Sequence, residues 1–224
     1  MRTIAISDIH GFSKTFRSLL DRIGFTKDDQ LFILGDCIDR GPDSKTALDT
    51  IIKLQQDGYR INCIMGNHEE MMLKAHYNPS QTVIWKFNGG DTTLKSFGVA
   101  QAKDIPVEYI RFIESLDVHH ETKNSIFVHA GLNMLNENPF QDEHSKLWIF
   151  NWYVEINRDW LGLRKIIHGH VINSRFAIEK SLENIDEFRV MSIDNGCFVN
   201  KSGFGQLCAL DLTNYKLYFN RNRG

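Results

Sequence analysis

Carboxylate, imidazole, amide and guanidinium groups recur in five short motifs of this chain, each just after an apolar run. They are Ser7-Asp8-Ile9-His10-Gly11, Gly35-Asp36-Cys37-Ile38-Asp39-Arg40-Gly41, Gly66-Asn67-His68-Glu69, His129-Ala130-Gly131 and His168-Gly169-His170. Asp8 and His10 are two residues apart, so on extended backbone both side chains share a face. Asp36 lies in a glycine-bounded turn, and a carboxylate has two oxygens with which to bridge two cations. If Asp36 bridges, Asp8 and His10 complete one cation's ligands, and Asn67, His129 and His170 complete the other's. Two cations about 3.5–4 Å apart form a clamp for in-line displacement at phosphorus. Oxygen and nitrogen donors without thiolate suit manganese, iron or zinc.

Around these donors sit groups fitted to the substrate. Arg40 is the expected phosphate grip, because its planar fork meets two phosphoryl oxygens at once. His68 directly follows Asn67 and is expected to protonate the leaving oxygen, with Asp39 holding its ring and favouring the charged form. His168 and His170 straddle Gly169; one is expected to be a ligand, the other to support or pack. Glu69 is expected to place its charge at the start of the next helix. Cys37, Trp148, Trp152 and Trp160 read as packing residues, and His76, His119, His120 and His144 as surface or satisfied core residues.

The elements that position these groups follow from periodicity. Strands are expected at Thr3–Ser7, Gln30–Leu34, Ile61–Met65, Ser125–His129, Lys165–His168, Arg189–Ile193, Gln206–Leu212 and Tyr215–Phe219, with a hairpin at Thr213-Asn214. Helices are expected after Ser7, over Asp43–Gln56, from His68 to Tyr77, and through most of Pro79–Leu116. The last forty residues lean towards β. Alternating strand and helix predicts an α/β fold. Asp8, Asp36, Asn67, His129 and His170 then fall at strand C-termini, the sheet edge where ligands bind.

Composition bounds the rest. The 224 residues, 42% hydrophobic and 24% charged, suit one globular domain spanning 1–224. A net charge of −2 gives no general attraction to nucleic acid or acidic membranes. Apolar runs are far too short for a membrane span, and the N-terminus starts in a strand-like pattern rather than a signal peptide. Four cysteines without close pair spacing read as reduced thiols of a cytoplasmic protein.

The motifs closely resemble those of the calcineurin-like metallophosphoesterases, within them the phosphoprotein phosphatase family, and the short chain is similar to small bacterial and phage Ser/Thr phosphatases. The match runs from residue 7 to about 200, with Ser7 in place of a usual glycine. The resemblance implies two mixed β-sheets in a sandwich flanked by helices. It implies two divalent ions, manganese first, on Asp8, His10, Asp36, Asn67, His129 and His170, with Asp36 bridging and His170 rather than His168 as ligand. A metal-bridging hydroxide would attack phosphorus while Asp39 and His68 serve the leaving group and Asn67 and Arg40 contact the phosphate. One departure stands out. The family's second phosphate-binding arginine follows a Trp-Ile pair, and here Trp148-Ile149 is followed by Phe150. Arg158, Arg164 and Arg175 are the candidate replacements.

The leading expectation is a Ser/Thr protein phosphatase acting on phosphorylated protein or small phosphoesters. The alternative is a symmetrical bis(5'-nucleosyl)-tetraphosphatase with the same centre, for which the chain looks short. A third reading, a phosphate-binding module without catalysis, rests on Phe150 alone.

Overall fold

The computed structural model describes residues 1–223. Its strands are β1 (Thr3–Ile6), β2 (Gln30–Ile33), β3 (Arg60–Cys63), β4 (His119–Glu121), β5 (Ser125–Val128), β6 (Lys165–His168), β7 (Val190–Ser192), β8 (Gln206–Asp211) and β9 (Lys216–Arg221). The helices are α1 (Ser13–Ile23), α2 (Ser44–Gln56), α3 (Asn67–Tyr77), α4 (Thr82–Trp85), α5 (Asp91–Phe97), α6 (Val107–Glu114), α7 (Glu143–Trp148), α8 (Arg158–Leu161), α9 (Arg175–Glu183) and α10 (Ile185–Phe188).

Two sheets form. The first has strand order β3-β2-β1-β8-β9, parallel from β1 to β3 and antiparallel from β1 through β8 to β9. The second has order β4-β5-β6-β7, with an antiparallel edge strand β4 beside three parallel strands. Both are mixed sheets, as expected. Alternation along each strand decides which core a residue joins. Ala5 and Phe32 face Phe127, Ile167 and Met191 across the inter-sheet core, where the rings of Phe32 and Phe127 stack at 3.8 Å. Ile4, Ile6, Leu31 and Ile33 point the other way, onto Phe16, Leu19, Leu48 and Ile51 of α1 and α2. Ile126, Val128 and Ile166 cover Leu132, Trp152 and Leu161 on the outside of the second sheet.

Several expected elements shift. Helices α9 and α10 occupy a stretch in which no helix is expected; Ser174 caps α9 by accepting from the Ala177 amide, and Ile178 and Ile185 enter the inter-sheet core. Strand β4 (His-His-Glu) carries no apolar alternation and exists because it pairs with β5. The stretch containing Trp148, Trp152 and Trp160 forms α7, a turn and α8, with Asn157 capping the last piece. Trp152 is buried in the core as expected, whereas Trp148 is half-buried and donates to Glu70 Oε2 at 2.8 Å.

The stacked Phe32–Phe127 pair joins the two sheets, so Phe32→Ala leaves a cavity in the inter-sheet core. Loss of about 3–5 kcal/mol is expected, with Phe32→Leu losing less. Urea unfolding followed by circular dichroism measures both.

Candidate metal centre

The C-terminal ends of β1, β2, β3, β5, β6 and β7 converge at one edge of the sandwich. Backbone hydrogen bonds tie the loops that leave them: His10 N donates to Asp36 O at 2.7 Å, Gly11 N to Cys37 O at 2.8 Å, and Gly169 N to His129 O at 2.8 Å. The loops turn by placing residues in the left-handed region. His10 (φ 47°), Asp36 (46°), Asp39 (69°), Arg40 (68°) and His170 (60°) all adopt it, among few non-glycine residues that do. Such backbone costs about 1–2 kcal/mol per L-residue, and it aims these side chains inwards.

Two groups of donor atoms result, each with its ligand atoms within 4.8 Å of one another: His10, Asp36 and His68, and Asp36, His129 and His170. Asp36 belongs to both. Its carboxylate oxygens lie 3.6 Å from His10 Nε2, 3.8 Å from His68 Nε2 and 3.5 Å from His129 Nε2. Burial works against its charge, but the surrounding imidazoles outweigh it and hold Asp36 below the usual carboxylate range. The same burial drives His10 well towards the neutral form, lowers the pKa of His129 and takes His170 down to about 3.

The tautomers are set by the backbone. His10 Nδ1 lies 3.0 Å from Ile38 O and His129 Nδ1 2.8 Å from Leu34 O; a carbonyl only accepts, so each Nδ1 carries the proton. Each Nε2 is then a lone pair. That of His129 faces Asn67 Oδ1 at 2.9 Å, two acceptors aimed at one spot. His170 Nε2 is buried with no hydrogen-bond partner among the described residues. Neutral imidazoles whose other nitrogen donates to a carbonyl, facing a shared carboxylate, fit a pair of divalent cations. The donors do not select the element, and the nearby Cys37 thiol turns to Cys63, 3.6 Å away.

Asp8 and His168 sit differently. Asp8 is buried beside the Asp36 and Asp194 carboxylates; burial and these charges raise its pKa well above the ordinary value. Its oxygens accept from His170 N at 3.0 and 3.3 Å, and it falls in neither donor group. Gly169 makes that approach possible, since a Cβ there would overlap Asp8 Oδ1. His168 spends both ring nitrogens on the protein, Nδ1 towards Gly169 O at 3.0 Å and Nε2 towards the Tyr153 hydroxyl at 2.9 Å.

Next to Asp36, His68 Nδ1 lies 2.7 Å from Asp39 Oδ2. Asp39 also accepts from Trp85 Nε1 at 2.8 Å and Thr93 Oγ1 at 2.6 Å. Burial opposes a charge on His68, yet Asp36 and the hydrogen-bonded Asp39 raise its pKa. Arg40 Nη1 donates to His10 Nε2 at 2.8 Å, and its guanidinium lies 4.2 Å over the Phe198 ring. Gly89, at φ 108°, lets its carbonyl accept from Arg40 N at 3.2 Å where any side chain would meet Arg40. The three arginines considered as a second phosphate grip are engaged elsewhere: Arg158 on Glu187 O, Arg164 on Glu121 and Trp160 O, Arg175 on Glu179.

Two residues escape the motif reading. Glu69 does more than charge a helix end. Fully buried, it accepts from the backbone N–H of Asp36 (2.9 Å), Cys37 (2.8 Å), Ile38 (3.3 Å) and Gly66 (2.9 Å), fastening the Asp36 loop to α3. Burial, then Asp36, pushes its pKa up to about 7. Asp194, just past β7, is likewise buried and pushed up to about 7, by burial first and Asp36 after the opposing Gly196 N–H. The strand-end rule that picks out Asp8 and Asp36 also reaches Asp194.

Metal content tests the arrangement directly. Wild-type protein is expected to retain two divalent ions per chain by elemental analysis, and Asp36→Asn at most one. Glu69→Gln, which removes an acceptor for the loop, is expected to weaken metal binding about 10- to 100-fold in chelator competition.

Comparison with known proteins gives the centre its context. Residues 1–191 match the calcineurin-like phosphoesterase family. A symmetrical bis(5'-nucleosyl)-tetraphosphatase of Ectopseudomonas mendocina (strain ymp) is 31% identical over 134 residues, covering 59% of this chain and 45% of that one. A serine/threonine-protein phosphatase 1 of Salmonella typhimurium (strain LT2) is 34% identical over 128 residues, 56% of either chain. The matched region spans about half the length of these curated relatives. A solved protein serine/threonine phosphatase from Saccharomyces cerevisiae shares the fold, with a TM-score of 0.63 at 15% identity over 98% of this chain and 79% of that one. With a family match that takes in the strands carrying Asp8, Asp36, Asn67, His129 and His170, this chain belongs to the calcineurin-like phosphoesterases.

Proposed function

We propose that this metallophosphoesterase cleaves dinucleoside polyphosphates at the middle of the phosphate chain. The observation that carries hydrolysis at phosphorus is the sharing of Asp36 between two donor groups with Arg40 alongside. The choice of substrate is supported by several relatives that are named symmetrical bis(5'-nucleosyl)-tetraphosphatases. This reverses the order expected from the sequence, where phosphoserine and phosphothreonine came first. The protein phosphatase reading stays as the second, supported by the Salmonella relative.

Two divalent ions bound here would neutralise phosphoryl oxygens and supply a nucleophile from water at neutral pH. Arg40 grips a phosphoryl oxygen through its fork, and the Asn67 amide contacts another. His68, its Nδ1 proton held by Asp39, presents Nε2 to the oxygen that leaves. Water adds across one central P–O–P link of diadenosine tetraphosphate, and two ADP depart. An ADP leaving group needs little protonation, whereas an alkoxide needs it badly. His68→Asn is therefore expected to lower kcat on phosphoserine about 100-fold or more, and on diadenosine tetraphosphate by less.

The experiment that tests the proposal supplies purified protein with manganese and either diadenosine tetraphosphate or a phosphoserine peptide. ADP as sole product, at a higher kcat/KM than for the peptide, is expected. Faster release of phosphate from the peptide, or formation of AMP with ATP, would overturn it.

A further inference from the structure

Phe150 follows Trp148-Ile149, where the motif resemblance implies a second phosphate-binding arginine, and it is 56% exposed. Its ring centroid lies 4.3 Å from that of His170 at a 44° tilt, so one side rests on a donor of the candidate centre and the other is open. The backbone there is built. Asn151 is left-handed at φ 57° directly after it. Trp152, next along, is buried, donates from Nε1 to Ala130 O at 3.2 Å, and presses on Gly131, where a Cβ would overlap it. Tyr153 reaches His168. The turn 150–153 is thereby pinned to the loops after β5 and β6, the same loops that bear His129 and His170.

A flat apolar ring on a pinned turn, at the rim of a site for highly charged phosphates, recognises something planar and neutral. We propose that Phe150 is a specificity-determining residue on which a nucleobase of the substrate stacks, a role that rests on the dinucleoside polyphosphate reading above. Position argues for a base rather than an aryl ester. Phe150 rests on His170, a member of one donor group, and is not itself among the donors that share Asp36, so it flanks the centre and does not enter it. An aryl ester holds its ring one oxygen from phosphorus. A nucleobase is set back by a ribose and a further phosphate, and reaches such a flanking ring. Replacing arginine by phenylalanine thus exchanges a phosphate contact for a base contact.

The test uses manganese-loaded protein and compares ADP with pyrophosphate as inhibitors of p-nitrophenyl phosphate hydrolysis, in wild type, Phe150→Leu and Phe150→Trp. Base–aromatic stacking corresponds to about a five- to hundredfold change in affinity. ADP is expected to inhibit wild type more tightly than pyrophosphate by such a factor, Phe150→Leu to lose that margin, and Phe150→Trp to keep it. The pyrophosphate constant is expected to stay the same in all three, which a merely structural role beside His170 would not produce. In parallel, Phe150→Leu is expected to raise KM for diadenosine tetraphosphate but not for inorganic tetraphosphate. An unchanged ADP margin in Phe150→Leu overturns the stacking role while leaving symmetrical cleavage standing. A normal ADP margin in a wild type that does not cleave diadenosine tetraphosphate overturns the proposed function while leaving the stacking role standing. Equal weakening of ADP and pyrophosphate assigns Phe150 to packing.

Discussion

Five carboxylates, Asp8, Asp36, Asp39, Glu69 and Asp194, are withdrawn almost wholly from water at one edge of the sandwich, and this crowding governs the local design. Unpaired charges in such a place are prohibitive, so every one is answered. Asp36 has imidazoles on three sides, Asp39 has His68, Trp85 and Thr93, and Glu69 has four backbone amides. Asp8 and Asp194 are answered by backbone N–H groups against the charge of neighbouring carboxylates, and both are pushed towards the protonated form. The excess of anionic and lone-pair donors over protons is the physical reason the site suits divalent cations.

Holding that excess together requires costly backbone. Five residues with side chains in the left-handed region would be unstable in free loops at about 1–2 kcal/mol each. Here the loops bind one another: His10 to Asp36, Gly41 to His10, Gly11 to Cys37. Glu69 adds a clamp from α3. The sandwich beneath is the rigid support, since His129 on the second sheet donates to Leu34 at the end of the first and its side chain cannot move independently of either.

Two side chains flank this fixed centre. Arg40 rests on Phe198 and on the Gly89 turn, a cation held in place from two sides. Phe150 lies open on the opposite donor group.

The sequence by itself carried the element types of the first third, the α/β class and the five motifs, because helix and strand periodicity and short-range spacing are local properties of the chain. It also carried Asp8, Asp36, Asn67, His129 and His170 as residues of one edge, because strand C-termini in such a sheet must converge. What only the tertiary structure decided concerns partners far apart along the chain. Glu69 reads as a helix-end charge until the Asp36 loop folds over it. His168 and His170 are equivalent by spacing until Tyr153 takes up His168 and leaves His170 Nε2 without a partner. Strand β4 and helices α9 and α10 arise from pairing and burial against other elements, not from their own pattern. Local sequence dictates which groups are available at a strand end; long-range packing dictates which of their lone pairs remain free, and that freedom is what a metal or a substrate meets.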